Sequence, residues 1–175
     1  MIDLEKPLKR EVRCDGGWVK VKTDFRVWLT FSRLLRSGFI WKGVLSDPEV
    51  QVEGWQEGAL EFFRSENPLP RGEGGERVLD YTVDSDLLVG AFFQAYGVDL
   101  TSCEMHWHVF CALVRSLPGT TKLSEVMGYR AWRKTNRKTD EVYAELKEKW
   151  ALPMPEEERE AALRWQQEAF GRCLM

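Results

Sequence analysis

The residues best suited to chemistry lie close together in the second half of the chain. Both histidines, His106 and His108, fall within a few residues of Cys103 and Cys111. On a helix, Glu104, His108 and Cys111 would share one face and offer three metal ligands. A structural zinc site usually has four ligands with pairs at tighter spacing, and the sequence shows no second half-site. A surface carboxylate–imidazole pair beside a partly buried thiol is therefore the preferred interpretation, and no metal site is expected.

A cysteine nucleophile is the second chemical possibility. Cys103 would lie one helical turn from His106 and near a predicted helix N-terminus, where the pKa of a thiol is lowered. No acid that could orient the histidine is evident. On the predicted helix, His106 and His108 point about 200° apart and should not share a ligand. We therefore expect a non-enzymatic protein with no catalytic residues and no cofactor.

Two further patterns have simpler explanations than a ligand site. Asp80, Asp84 and Asp86 form an acidic cluster, and helix capping accounts for the last two. Residues 67–77 contain a Gly-x-Gly-Gly pattern, but no Lys-Ser or Lys-Thr follows it as in a phosphate-binding loop. This segment is expected to be a flexible connector.

A basic stretch runs from Arg130 to Lys138 and carries five Lys or Arg residues. The whole chain has 25 basic and 28 acidic residues, and its net charge of −3 argues against nucleic acid. A solvated loop or a docking surface for an acidic protein fits better. Because Tyr, Trp and Arg are enriched at binding hot spots, the candidate partner-binding residues are Tyr129, Arg130, Trp132, Arg133 and Arg137.

These residues must be positioned by a small helical protein. The 175 residues are 43% hydrophobic, with eight Trp and nine Phe, which suits one globular domain. The Asp15-Gly16 turn predicts a β-hairpin over residues 11–22. The fold class is mainly α, a compact bundle of about six or seven helices with a small N-terminal hairpin. The helices are expected at 24–36, 46–63, 85–96, 101–117, 122–127, 140–150 and 155–170.

Several boundaries rest on particular residues. Asp47 and Pro48 are typical of a helix start, Thr101 and Glu104 form a capping box, and Gly128 should end the helix that begins after Thr121. The helix over 85–96 is apolar on nearly every face and is expected to be central. Residues 1–152 are assigned to the main domain, and residues 153–175 to a C-terminal amphipathic helix.

No apolar run reaches the roughly 18 residues of a membrane span. The first residues lack the basic and then apolar pattern of a signal peptide. Without an export signal, the four cysteines are most simply reduced thiols. A soluble cytoplasmic protein is therefore expected.

An ordered set of motifs between Val12 and Leu152 resembles the "gene product fifteen" family of tailed bacteriophages and prophages. Its main parts are Asp24-Phe25-Arg26-x-Trp28-Leu29, Asp80-Tyr81-x-x-Asp84, Tyr96-Gly97-x-Asp99-Leu100, His106-Trp107-x-x-Phe110, Thr120-Thr121-Lys122 and Met127-Gly128-Tyr129-Arg130. The chain departs from the family pattern at His108, where a second aromatic residue is expected. The residues after Pro153 are not covered.

The resemblance implies a product of the phage tail-morphogenesis region that works in the host cytoplasm. It would be a tail assembly chaperone or accessory factor whose partners are the tape-measure and tail-tube proteins, with no role for nucleic acid or membrane. The family supplies no catalytic residues to carry over. Two alternatives stay open, a structural virion component such as a tail connector or completion protein, and a metal- or thiol-dependent enzyme.

Overall fold

The computed structural model describes residues 5–64, 76–135 and 138–153, which form six α-helices and a two-stranded antiparallel sheet. The elements in chain order are β1 (Glu11–Cys14), β2 (Gly17–Lys20), α1 (Phe25–Arg36), α2 (Trp55–Arg64), α3 (Ser85–Tyr96), α4 (Trp107–Arg115), α5 (Lys122–Ala131) and α6 (Asp140–Lys149). The mainly α fold with an N-terminal hairpin is confirmed. The predicted helix over 155–170 and most of the glycine-rich segment lie outside the described residues.

The hairpin covers one end of the helical core. Val12 lies opposite Val19, and Cys14 lies opposite Gly17, where the chain turns. The side chains of Val12 and Cys14 are buried, while Trp18 on the other face is 67% exposed. Strand β1 packs against α2 so closely that a Cβ atom at Gly58 would lie 2.5 Å from the Arg13 carbonyl oxygen.

Helix α1 supplies the centre of an aromatic core. The Asp24 carboxylate accepts a hydrogen bond from the Arg26 amide at 2.9 Å, which caps the helix as the sequence predicts. Trp28 is fully buried, and its ring stacks on Phe62 of α2 at 4.5 Å. Phe25 stacks on Phe110 of α4 at 4.7 Å. Aromatic contacts therefore join three helices that are distant in sequence.

The predicted start of the second helix at Asp47 is wrong, because α2 begins at Trp55. The Asp47 carboxylate instead accepts from the Glu49 amide and closes a turn. The segment that follows pairs with the hairpin, since the Asp15 amide donates to the Glu53 carbonyl at 3.1 Å. The helix can start only after Gly54, whose φ of 73° redirects the chain.

Helix α3 has the predicted bounds. Gly97 ends it in the left-handed conformation, with φ 65°. Leu88, Ala91 and Phe92 are buried, whereas Phe93 is 65% exposed. The helix therefore lies at the surface with one buried face, and the prediction of burial on nearly every face is wrong.

The predicted capping box at Thr101 and Glu104 does not form, because α4 begins only at Trp107. The Asp99 carboxylate accepts hydrogen bonds from Thr101 and Ser102, and these bonds lower its pKa. The chain then runs extended past the start of α1. There the Trp107 amide donates to the Thr23 carbonyl at 2.8 Å, and the Phe25 amide donates to the Met105 carbonyl at 2.9 Å.

Helix α5 starts where the sequence predicts but ends later. The Thr121 hydroxyl accepts from the Ser124 amide and caps it. The helix passes through Gly128 and ends at Ala131, so the prediction that Gly128 terminates it is wrong. The extra turn carries Tyr129 and Arg130 within the helix. Among the described residues, no helix is long and apolar enough to cross a membrane.

Candidate protein-binding surface

The last turn of α5 and the first turns of α6 bring three aromatic rings together. The Tyr143 ring stacks on Trp132 with their centroids 6.1 Å apart. It meets the edge of the Tyr129 ring at 6.3 Å. Tyr143 is 39% exposed and its neighbour Val142 is 57% exposed. We call Tyr129, Trp132, Val142 and Tyr143 the α5–α6 aromatic surface.

Basic side chains border this surface and hold it in place. The Lys122 ammonium lies 5.6 Å from the Tyr129 ring and 5.5 Å from the Trp150 ring, so it forms cation–π contacts with both. Lys147 donates to the Trp132 carbonyl at 3.0 Å. Arg133 is exposed and pairs with Glu76 at 3.1 Å. The surface is therefore aromatic at its centre and charged at its edge.

Arg130 lies behind this surface, in the interior. Its guanidinium makes a bidentate contact with the Asp84 carboxylate at 2.7 and 2.8 Å. It also donates to the Val78 carbonyl at 2.9 Å and to the Trp150 carbonyl at 2.6 Å. Only 6% of Arg130 is exposed. One side chain thus joins the start of α3, the segment before it and the end of α6 to α5.

A second ion-pair group lies next to the first. The Asp80 carboxylate is bound by Arg36 at the end of α1 and by Arg77 at 3.2 Å. It also accepts from the amides of Thr82 and Val83. Burial opposes ionisation of Asp80, but the hydrogen bond from Arg36 and the two amide bonds outweigh it and lower the pKa of the carboxyl group.

These contacts correct the interpretation of the acidic cluster. The Asp84 side chain makes no capping bond to α3 and instead accepts from the Asp80 amide at 2.9 Å and from Arg130. Arginines occupy the positions where a cation was considered for Asp80 and Asp84. Among the described residues, no three His, Cys, Asp or Glu side chains form a group that could hold a metal ion.

The five candidate partner-binding residues have different fates. Tyr129 and Trp132 are half-buried and meet on the aromatic surface, and Arg133 is exposed at its edge. Arg130 is buried, so the expectation that it is exposed is wrong. Arg137 lies outside the described residues. Whether any of them binds a partner stays a prediction.

Sequence reasoning missed Tyr143, Val142 and Lys122 as neighbours of these residues. The signal was present in the sequence of α6, where Val142 and Tyr143 interrupt a strongly charged helix. An apolar pair on such a helix needs either a core position or a partner. Without the position of α5, the sequence could not indicate which of these applied.

The two histidines lie side by side, contrary to the helical-wheel prediction. His106 precedes α4 and caps it, because its Nδ1 accepts from the His108 amide at 3.1 Å. The two ring centroids are 5.1 Å apart. His106 Nε2 meets the Lys9 carbonyl at 2.8 Å, and His108 Nε2 meets the Phe62 carbonyl at 2.9 Å. Burial lowers the pKa of both imidazoles.

The same shift of the α4 start separates the proposed thiol and metal sets. Glu104 is exposed and precedes the helix, so it does not share a helical face with His108 and Cys111. Cys103 is no longer near a helix N-terminus. Cys111 is buried, and burial raises its pKa to about 12. A thiol with such a pKa is protonated at neutral pH and is a poor nucleophile.

An open cleft of about 760 Å³ lies between β1 and α2. Arg13, Asp15, Glu57 and Glu61 supply its charged lining. Cys14 also lines it, but burial raises the pKa of this thiol. The cleft is polar and gathers no nucleophile–base pair among its lining residues. The α5–α6 aromatic surface has the residue types of a protein-binding site and remains the stronger candidate.

Comparison with known proteins gives one match. The family model described as "Bacteriophage Gp15 protein" matches residues 38–152, which is more than half of the chain and includes α2 to α6. The match agrees with the family resemblance seen in the sequence motifs of that range. The motif from Asp24 to Leu29 lies before it. No curated protein and no solved structure matches the chain.

Proposed function

We propose that this chain, which belongs to the bacteriophage Gp15 protein family, is a non-enzymatic tail assembly protein that acts through protein–protein contacts. The family itself indicates a phage-related structural or morphogenetic role. The finer proposal is that the protein is a chaperone or accessory factor for the tape-measure and tail-tube proteins. Its place of action would be the host cytoplasm.

The observation that carries the proposal is the α5–α6 aromatic surface, which lies inside the family-matched range. Trp and Tyr provide large contact areas with few rotatable bonds, so they lose little conformational entropy on binding. Exposed apolar side chains at Val142 and Tyr143 would gain from burial by a partner. The exposed bases Arg133 and Lys134 at the edge favour acidic residues around the apolar centre of that partner.

A helical partner fits this chemistry best. An amphipathic helix can place apolar side chains at i, i+3 and i+4 against an aromatic surface and direct acids toward its edge. A long helical tape-measure protein would present many such segments before it is covered by tail-tube subunits. The proposed role is to shield such a segment during assembly.

Co-expression tests the proposal. The tagged chain is expressed with the tape-measure and tail-tube proteins of the same phage, and co-purification is measured. The double variant Val142→Ser/Tyr143→Ser should lose the partner. The matched control Trp18→Ser removes another exposed aromatic residue, on the hairpin, and should retain it. If neither protein co-purifies with the unmodified chain and phage lacking it still make full tails, the proposal is wrong.

Purified particles distinguish an assembly factor from a structural virion component. Mass spectrometry should find the tape-measure and tail-tube proteins but not this chain. If the chain is present in stoichiometric amounts, it is a structural component such as a tail connector or completion protein. The family description is compatible with both roles, so this measurement decides between them.

A further inference from the structure

The two histidines form a small junction between three parts of the protein. The Lys9 carbonyl belongs to the segment before β1, the Phe62 carbonyl belongs to the last turn of α2, and both accept from imidazoles at the start of α4. Both imidazole rings pack against the Phe62 ring, at 5.8 and 4.4 Å. The contacts at His106 differ from those at His108 in what a proton would do to them.

His106 uses both ring nitrogens, in opposite senses. Its Nδ1 accepts the hydrogen bond that caps α4, so this nitrogen carries no proton. In the neutral ring the proton is then on Nε2, which donates to the Lys9 carbonyl. The geometry requires the neutral form, because a second proton on Nδ1 would face the His108 amide proton. It would also place a positive charge at the N-terminus of a helix, where the dipole is unfavourable for cations.

His108 responds differently to protonation. Its Nε2 donates to the Phe62 carbonyl, and an imidazolium could keep that bond. The adjacent Trp107 donates to the Phe63 carbonyl at 3.1 Å and does not titrate. The end of α2 is therefore held by contacts that survive acid. The tether to Lys9 depends on the ring orientation of His106, and this orientation is set by the Nδ1 cap.

The surrounding charges oppose protonation further. Arg10 acts on His106, while Lys9, His106 and the amino terminus act on His108, and all of these lower the pKa values beyond the effect of burial. At the start of α1, Asp24 pairs with His106 through the backbone, but its carboxylate is bonded to Arg26. At the end of α2, the contacts come from the Phe62 ring and carbonyl.

We propose that His106 is an acid-sensitive latch that holds residues 5–10 against the start of α4 when neutral and releases them when protonated. Protonation removes the Nδ1 acceptor, the ring rotates away from the His108 amide, and the Nε2 bond to the Lys9 carbonyl is lost. His108 stays bound to α2 and resists double protonation of the pair, since the two rings are 5.1 Å apart.

Two NMR measurements on the full chain between pH 7.5 and pH 5 test the latch. The His108 amide should exchange with solvent faster as the pH falls, by about tenfold per pH unit after correction for the intrinsic exchange rate. Over the same range, the heteronuclear NOE of Lys6, Leu8 and Lys9 should fall toward values of a mobile chain. Amides in α3 should show neither change.

Two variants separate the latch from general acid destabilisation. The Asn side chain in His106→Asn can still cap α4 but cannot titrate or reach Lys9, so residues 5–10 should be mobile at every pH and the His108 amide protected at every pH. The Gln side chain in His108→Gln keeps a donor for the Phe62 carbonyl, and this variant should retain the transition. The latch is rejected if residues 5–10 keep the same NOE at pH 7.5 and pH 5 in the unmodified chain. It is also rejected if His106→Asn shows the same transition as the unmodified chain.

Discussion

Arg130 shows how far the role of one residue can differ from what its type suggests. In the sequence it lies among four other basic residues, and in the structure it is buried with Asp84. A buried guanidinium is tolerated only when its donors are satisfied, and those of Arg130 go to one carboxylate and two carbonyls. Arg130 therefore stabilises the base of the aromatic surface without belonging to it.

Replacing Arg130 should strongly destabilise the fold. Arg130→Met leaves the Asp84 carboxylate buried without its ion-pair partner, and we expect the free energy of unfolding to fall by about 3–5 kcal/mol in urea titrations. The neighbouring Lys134→Met removes an exposed charge and should change stability by less than about 0.5 kcal/mol. Equal effects of the two substitutions would contradict the buried assignment.

Asp80 predicts a dependence of stability on acid pH. Its pKa is lowered in the folded protein, from an ordinary value of 3.8. The ionised carboxylate therefore contributes stability that is fully present above pH 3.8 and is lost as the pH falls through the folded pKa.

Asp80→Asn should be less stable than the unmodified chain at pH 7. The difference between the two proteins should shrink in urea titrations carried to progressively lower pH below 3.8. A difference that stays constant over this range would show that the Asp80 charge makes no net contribution to folding.

At the scale of elements, the helix ends set by local chemistry follow the sequence, and those set by other parts of the chain do not. Asp24, Thr121 and Gly97 cap their helices as predicted. The capping box at Thr101 fails because the chain around Met105 pairs with the start of α1. An extended backbone that satisfies distant groups cannot also form a helical turn.

Helix α5 offers a direct test of a corrected boundary. Gly128 lies inside the helix, and a Cβ atom built there meets nothing within 4 Å. Gly128→Ala should therefore raise the free energy of unfolding by about 0.4–1 kcal/mol. If the helix ended at Gly128 in a left-handed conformation, the same substitution would be destabilising. Gly58→Ala is the control, because its Cβ would clash with the Arg13 carbonyl and should destabilise the protein.

At the scale of the whole molecule, an aromatic core connects elements that are far apart in the chain. The fully buried Trp28 contacts Phe31, Phe62 and Phe63, and its Nε1 donates to the Lys22 carbonyl at 2.7 Å. One side chain thus links α1, α2 and the residues just after β2. The positions of the hairpin and of α2 depend on these contacts.

Trp28→Ala should lower the free energy of unfolding by about 3–5 kcal/mol, since it leaves a large cavity among rings that cannot collapse into it. Trp18→Ala makes the same change at a side chain that is 67% exposed and should have a small effect on thermal unfolding. Similar losses for both variants would contradict the assignment of Trp28 to the centre of the core.

The sequence by itself determined the fold class, the hairpin, the bounds of α1 and α3, the cap of α5 and the family. Each of the local features depends on hydrogen bonds between residues a few positions apart, such as Asp24 with Arg26. The residue types of the aromatic surface were also visible at Tyr129 and Trp132. Their neighbours on α6 were not identified.

Only the tertiary structure decided where α2 and α4 begin, that the two histidines meet, and that Arg130 is buried. In each case a backbone or charged group is satisfied by a partner distant in sequence, such as Thr23 for the Trp107 amide or Asp84 for Arg130. The free energy of such a contact depends on the final packing of several elements, and local propensity cannot supply it. The surface left exposed after these contacts form is the one available to a partner.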